Sequence, residues 1–482
     1  MSAGHTSSEK PRVIVIGGGI SGLAAAHRLI ERSKDAGTPL RVELFEARDR
    51  LGGTIHTQTQ DGFLIEGGPD SFITQKPAGV ALCQRLKIDD QLIGTNPDYR
   101  RTLIALNGKL HAVPEGFLLL APTKIRPFIL SSLFTWRGKL RMGMDLLIPR
   151  RDHGERGDES LASFVRRRFG KEALERVAQP LVGGIYTSDP EKLSLRTTMS
   201  RFLDMETQHG SLIRGMRKQS HAIASHGSKA DSGARYSMFI SFKRGMATLV
   251  DALAERIGNR NIHLNRSMRS IDRRDGKWHI RFGADQPETA DAVVLACPSY
   301  VAGDVLKERD AQLSRDLLGI EYASAATVSM AFPRDSVRAK LDGFGFVVPA
   351  IERRSLIAVT FSSVKFAGRA PDGWVLMRAF VGGAMFPEMM ALNDETMTQR
   401  VCEDLRDFLG VEAPPRFTII SRWQRSMPQY PVGHLDTVDR IHARLGTLPG
   451  LALAGNAFGG VGIPDCIASG EQAAEHVFKT LG

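Results

Sequence analysis

Val13-Ile14-Val15-Ile16 is a short β-branched run that stops at Gly17-Gly18-Gly19, and from Ile20 to Ile30 apolar residues recur at helical spacing. The pattern predicts a strand, a tight turn and a helix. After a connection over Ser33–Pro39, alternation from Arg41 to Phe45 predicts a second strand ending at Glu46. Together these make a β-α-β unit of about 30 residues, the size of a mononucleotide-binding half.

From Lys87 to about Arg217 helical patches dominate, such as Ser160–Val177, and Gly116–Arg151 mixes apolar runs with basic residues. Ser220–Ala234 is polar and reads as a linker. Strand patterns return at Tyr236–Phe242, His263–Ile271, Trp278–Phe282 and Asp291–Ala296. Alternation at Ala326–Phe332, Phe344–Val348, Leu356–Phe361 and Trp374–Phe380 predicts an antiparallel sheet. Leu451–Ala454 predicts a buried strand, followed by a last helix from about Ile467 to Lys479. The expected fold class is α/β with α+β. A nucleotide-binding unit is assembled from 1–85, 236–302 and 446–482, with a helical unit over 86–220 and a sheet unit over 303–445. No internal repeat is visible, which argues against solenoids and propellers.

Composition narrows this picture. At 482 residues, 42% hydrophobic and 24% charged, the chain fills a real core and is neither disordered nor fibrous. A net charge of +11 favours anionic partners without choosing among them. The four cysteines, Cys83, Cys297, Cys402 and Cys466, are widely spaced, so neither a zinc site nor a disulfide framework is expected. The small, polar stretch Met1–Arg12 lacks the layout of a secretion signal. A reducing, cytoplasmic compartment is expected. No apolar run reaches the roughly 18–20 residues of a membrane span, so any membrane contact is peripheral.

Gly17, Gly19 and Gly22 stand where a strand turns into a helix, and Glu46 follows at the end of the next strand. Each glycine answers a physical need. Gly17 permits the turn, Gly19 lets backbone approach a pyrophosphate, and Gly22 lets helix and strand pack closely. The helix N-terminus faces the negative charge, and Glu46 can accept hydrogen bonds from a ribose 2′-hydroxyl. Glycines serving a turn alone are the bland alternative.

The continuation Glu46-Ala47-Arg48-Asp49-Arg50-Leu51-Gly52-Gly53 resembles flavoprotein oxidases of the amine oxidase superfamily, where the glycine pair lies beside the cofactor. Leu453-Ala454-Gly455-Asn456 and Gly459-Gly460-Val461-Gly462, before the last helix, resemble the second FAD fingerprint of that superfamily. Asn456 stands where many relatives carry an acid. Within the superfamily the chain resembles the porphyrinogen oxidases, on Leu51-Gly52-Gly53-Thr54-Ile55, Glu66-Gly67-Gly68-Pro69-Asp70-Ser71-Phe72, Pro180–Pro190, Ser241–Met246 and Gly343-Phe344-Gly345.

The resemblance implies a Rossmann-like FAD-binding domain of the amine oxidase/p-hydroxybenzoate hydroxylase type, a mixed-sheet substrate domain and a helical membrane-binding domain. It implies one non-covalent FAD per chain, held by Gly17, Gly18, Gly19, Ile20, Ser21, Gly22, Glu46, Ala47, Arg48, Gly52, Gly53, Thr54, Gly67, Gly68, Pro69, Met268, Gly455, Asn456, Val461, Gly462 and Ile463. The reaction it implies takes protoporphyrinogen IX to the porphyrin in three two-electron steps, with dioxygen reduced to hydrogen peroxide, in heme biosynthesis. Coproporphyrinogen III is the alternative substrate. Arg101, with Arg100 as its rival, matches the arginine that pairs with a substrate propionate, a role suited to a guanidinium fork. Gly184 matches a backbone carbonyl facing pyrrole N–H groups, and Val347 and Phe366 match apolar residues sandwiching the macrocycle; core packing is the competing role for both. No acid–base residue and no metal site is expected, since the flavin carries the redox chemistry.

Apolar residues between Phe117 and Trp136 are interleaved with or followed by Lys124, Arg126, Arg137, Lys139 and Arg141. This suits a surface facing anionic lipid at the inner face of the cell membrane, or an amphipathic core with a basic rim. A homodimer is left open. A flavin amine oxidase is a further alternative, although Trp and Tyr do not cluster near Gly455 in the chain. So is a non-catalytic lipid-escort protein of this fold. Nucleic acid is not an expected partner, because no recognition motif accompanies the charge.

Overall fold

A computed structural model describes residues 10–118, 121–122, 124–151, 154, 157–225 and 238–481. The β-branched run becomes the strand Arg12–Ile16, central in a five-stranded sheet between Arg41–Phe45 and Ala292–Leu295. Ile262–His263 and Leu451–Leu453 form the edges, and every pairing is parallel. Such a sheet must be covered on both faces. The helices Ile20–Asp35, Ala247–Ile257 and Ile463–Leu481 cover one face. On the other lie a three-stranded antiparallel sheet spanning 268–290 and the helices Ser299–Leu306, Ala311–Leu318 and His434–Leu445.

The first and last helices touch because Gly470 has no side chain: a Cβ there would lie 2.1 Å from the Ser21 carbonyl oxygen. Both helices therefore belong to one site although they come from opposite ends of the chain.

The second sheet has seven strands, in the order Thr418–Pro428, Tyr322–Pro333, Trp374–Gly382, Leu356–Phe361, Gly345–Val347, Thr102–Leu106, Lys109–Ala112. It is antiparallel except where Gly345–Val347 runs parallel to Thr102–Leu106. The expected bounds of this sheet unit, 303–445, are corrected in two ways. Two strands come from the unit expected to be helical, and helices within 303–445 pack on the nucleotide sheet instead.

Helices between Ile125 and Ser225 enclose a core of their own, including Phe164, Phe202 and Val182. The helix expected over Ser160–Val177 breaks after Arg168, and Gly170 sits at φ +90°. Of the expected linker, residues to Ser225 are helical, and 226–234 lie outside the described residues. The last helix starts at Ile463, four residues earlier than its apolar spacing indicates, because Val461-Gly462 leads directly into it.

Candidate functional site

Four glycines have no room for a side chain. A Cβ on Gly17 (φ +111°) would approach the Ala296 carbonyl oxygen to 2.4 Å, on Gly22 the Gly17 oxygen to 1.9 Å, on Gly52 the Ile55 oxygen to 2.6 Å, and on Gly68 the Thr54 oxygen to 1.8 Å. Gly19, Gly455 and Gly459 differ. A Cβ on Gly19 meets nothing nearer than Gly53 Cα at 4.0 Å, and those on Gly455 and Gly459 meet nothing. Backbone here is bare towards open space, as a diphosphate and its sugar require.

The helix beginning at Ile20 has no side chain capping its N-terminus, so its first N–H groups are left for an anion. Gly52 N–H donates to Gly18 O at 2.8 Å, which draws the Leu51-Gly52-Gly53 turn against the glycine loop. Arg50 secures that turn from behind, donating to the carbonyls of Leu51, Gly53 and Ile55. The Glu46 carboxylate accepts from Gly18 N–H at 2.5 Å and from Arg48 N–H at 2.8 Å. Each oxygen keeps a lone pair for a ribose hydroxyl. Asn265 and Arg266 N–H groups donate to the Arg48 and Glu46 carbonyls, which brings the start of the strand Met268–Arg274 alongside Glu46.

At the other end, Gly455 (φ +136°) follows the strand Leu451–Leu453, and its N–H donates to Ser469 Oγ at 3.0 Å. Tyr430 O–H donates to the Asn456 carbonyl, and His434 Nε2 lies 2.9 Å from the Ala457 carbonyl. Burial pushes Tyr430 well above the usual phenol range and His434 below the usual imidazole range, so both are neutral clamps. Cys466 lies in the first turn of the last helix, and burial pushes its thiol up to about 12. It is not a nucleophile at neutral pH.

The loop Gly67–Gly68 joins this cradle to the seven-stranded sheet. Gly67 N–H donates to His56 O on one side, while Thr327 Oγ1 and Trp423 Nε1 donate to Gly67 O, both at 2.8 Å, on the other. Trp423, Thr327, Tyr430 and Arg50 are functional neighbours that no sequence motif points to. Trp423 lies in the strand Thr418–Pro428, which has no clear alternation because Arg422 and Arg425 interrupt it. A tryptophan N–H donated to a glycine carbonyl of a distant loop has no sequence signature.

The proposed substrate residues divide. A Cβ on Gly184 would lie 3.8 Å from Val347 Cγ1, so these two share one wall, with Tyr186, Tyr430 and Val461 packed nearby. Gly184 is in the last turn of the helix Gln179–Tyr186, where carbonyls run out of intrahelical donors. Arg101 stands just before Thr102, which pairs with Gly345, two residues along the strand from Val347. It is ion-paired to Asp342 at 2.7 Å and 62% exposed. Phe366 is a correction: only 1% exposed, it packs between Lys365 and Arg369 and presents no open face. Tyr186 and Tyr430 form a T-shaped pair with centroids 6.2 Å apart beside Asn456, so tyrosines dispersed in sequence do meet near Gly455. Among the described residues no group of three His, Cys, Asp or Glu side chains is arranged to hold a metal ion.

These residues fit FAD: backbone bare towards open space at Gly19, Gly455 and Gly459, an uncapped helix N-terminus at Ile20, and a Glu46 carboxylate with lone pairs left for a ribose. The family model for flavin containing amine oxidoreductases matches residues 20–478. Coproporphyrinogen III oxidase of Bacillus subtilis is 34% identical over 98% of this chain and 99% of its own length. Chloroplastic protoporphyrinogen oxidase of Nicotiana tabacum is 30% identical over 96% and 85%. A crystal structure of a protein described as a protoporphyrinogen oxidase, from Exiguobacterium sp. 255-15, superposes with a TM-score of 0.85, 32% identity and 98% and 99% coverage. Cradle, sheet topology and full-length likeness agree, and the chain belongs to the flavin-containing amine oxidoreductases, among the porphyrinogen oxidases.

Proposed function

We propose that the chain oxidises coproporphyrinogen III to coproporphyrin III, with protoporphyrinogen IX as the weaker substrate of the same site. The observation that carries this reading is the likeness to the bacterial coproporphyrinogen enzyme over essentially the whole of both chains, at higher identity than to the plant protoporphyrinogen enzyme. It shifts the preference expected from sequence while keeping the reaction.

FAD, when bound, supplies the two-electron acceptor, and dioxygen takes the electrons onward. The protein's own residues bind and orient. Val347 and the Gly184 backbone form a flat apolar wall for the macrocycle, and the Gly184 carbonyl accepts from pyrrole N–H groups. Arg101 exchanges Asp342 for a propionate, a swap favoured by a fork that can take both carboxylate oxygens. Four propionates on coproporphyrinogen, against two on the alternative, gain more from a chain of net charge +11. Offered side by side in air, coproporphyrinogen III is expected to give the larger kcat/KM by porphyrin fluorescence, with peroxide released in step. Fluorescence growth from protoporphyrinogen IX alone would reverse the preference. Peroxide from amines without porphyrin formation would sink the reaction class.

The reading extends to a lipid surface. Ile125, Leu130, Trp136, Leu140, Met144 and Leu147 are 49–81% exposed in one stretch of the helical unit, beside Lys124, Arg126 and Arg137. Part of the expected patch is core instead: Phe128, Leu133 and Phe134 are buried, and Arg141 is spent on the carbonyls at 166–168. Leu119 and Leu120 lie outside the described residues. No helix among the described residues is long and apolar enough to cross a membrane, so contact would be interfacial. The triple variant Trp136→Ser, Leu140→Ser, Leu147→Ser is expected to lose binding to vesicles containing anionic lipid by about tenfold or more, at an unchanged melting temperature, since each buried apolar side chain contributes about 1.5–3 kcal/mol. Undiminished co-sedimentation would refute it.

A further inference from the structure

Glu66-Gly67-Gly68 turns three successive carbonyls towards the seven-stranded sheet, and the sheet answers with buried donors. Besides Thr327 and Trp423, Arg378 donates to Glu66 O at 3.2 Å and to Gly68 O at 2.6 Å. Two residues on, the Asp70 carboxylate meets Lys365 Nζ at 3.0 and 3.1 Å and Arg378 at 3.1 Å. The Asp70, Lys365 and Arg378 side chains are 11%, 12% and 5% exposed.

This triad carries two cations against one carboxylate. Burial alone would raise the Asp70 pKa, but the Lys365 ammonium and the Arg378 guanidinium outweigh it and hold the acid far below the usual carboxylate range. Arg378 Nε is buried and has no hydrogen-bond partner. Apolar residues of similar volume commonly replace buried ion clusters at no loss of stability, so an unbalanced cluster is poorly explained by stability.

Its position gives it another use. Thr54, whose carbonyl touches Gly68, follows the glycine pair that abuts Gly19 at the pyrophosphate track. On the reading of the site as a flavin cradle, Gly67–Gly68 is the backbone that stands between that track and the charges, with Ser421 and His56 packed against Gly67 and the Thr54 carbonyl against Gly68.

We propose that Asp70, Lys365 and Arg378 are positioning residues that fix the Gly67–Gly68 loop and hold a net positive charge behind it, favouring electron arrival on the flavin. The inference rests on the reading of the site as a flavin cradle. Electron uptake adds negative charge in a low-dielectric site, and a fixed nearby cation stabilises it.

The test is the flavin midpoint potential of the holoenzyme, measured against reference dyes without porphyrinogen. Lys365→Met removes one positive charge, and the reduced-to-oxidised ratio at fixed potential is expected to fall by about tenfold, or about 30 mV for a two-electron couple. Asp70→Asn removes the negative charge, and the ratio is expected to rise by a similar factor. The double variant has the parent's net charge and is expected to return to the parent potential even though the native pairing is gone. A purely structural cluster would move all three variants in one direction or none, and that result overturns the proposal. Should Asp70→Asn fail to fold, the single Lys365→Met and the double variant still decide between the two outcomes. Because no porphyrinogen is present, a negative result leaves the substrate reading untouched; a parent protein that takes up no flavin would instead defeat the cradle.

Discussion

A Gly19→Val protein is expected to fold, to melt where the flavin-free parent melts, and to emerge from purification colourless. Gly19 sits at φ −72°, ψ 174°, an extended conformation that valine adopts freely. Its missing side chain faces open space, with Gly53 Cα as the nearest atom at 4.0 Å. An isopropyl group therefore strains nothing in the protein alone but occupies the pyrophosphate track. A loss of about 3 kcal/mol, roughly a hundredfold in FAD affinity, is the expected scale. Gly22→Val is the contrasting case: its Cβ would lie 1.9 Å from the Gly17 oxygen, so helix and strand must separate and the protein itself is expected to lose stability. Titration of apo-protein with FAD, followed by flavin fluorescence, together with thermal melting, separates the two. A yellow Gly19→Val protein of parental affinity would refute this placement of the diphosphate.

The second large effect is in the helical unit. Arg168 and Asp145 are fully buried, with Arg168 Nε 2.9 Å from the carboxylate in ion-pair contact, although misaligned for a hydrogen bond. Arg168 also donates to the carbonyls of Ile148 and Gly210, while Asp145 accepts from Ser211 Oγ and Ile213 N–H. Arg168→Met would leave Asp145 buried without its cation and two carbonyls without donors, a cost of about 3–5 kcal/mol. The double variant Arg168→Met, Asp145→Leu is expected to recover part of that loss, because no orphaned charge remains. Urea unfolding reports both, and an unchanged midpoint for the single variant would refute the account. Asp145 lies between Met144 and Leu147, so the ion pair anchors the segment that presents the exposed apolar side chains.

The nucleotide unit is legible in the sequence because its chemistry is local. A β-branched run, glycines at fixed offsets and an acid at the next strand's end are consequences of packing one strand, one turn and one helix around a diphosphate. Leu356–Phe361 and Arg41–Phe45 match their sequence patterns to the residue, since each is short, alternating and flanked by turn residues. The strand Thr418–Pro428 escapes such a reading, because an outer strand with mostly half-buried positions has no clean period of two. Phe366 matches a macrocycle contact by resemblance and lies instead under two cations, since neither spacing nor residue type encodes which way a buried ring faces.

A dinucleotide cradle drawn from both ends of the chain is written in its residues, as steric limits on glycine and the reach of one carboxylate operate within a few residues. What stands behind that cradle follows from long-range packing alone. Asp70 and Lys365 are 295 residues apart, and nothing local to either announces the other. Their pairing exists because a parallel sheet and a largely antiparallel one close on the same glycine loop, and burial then makes opposite charges seek each other.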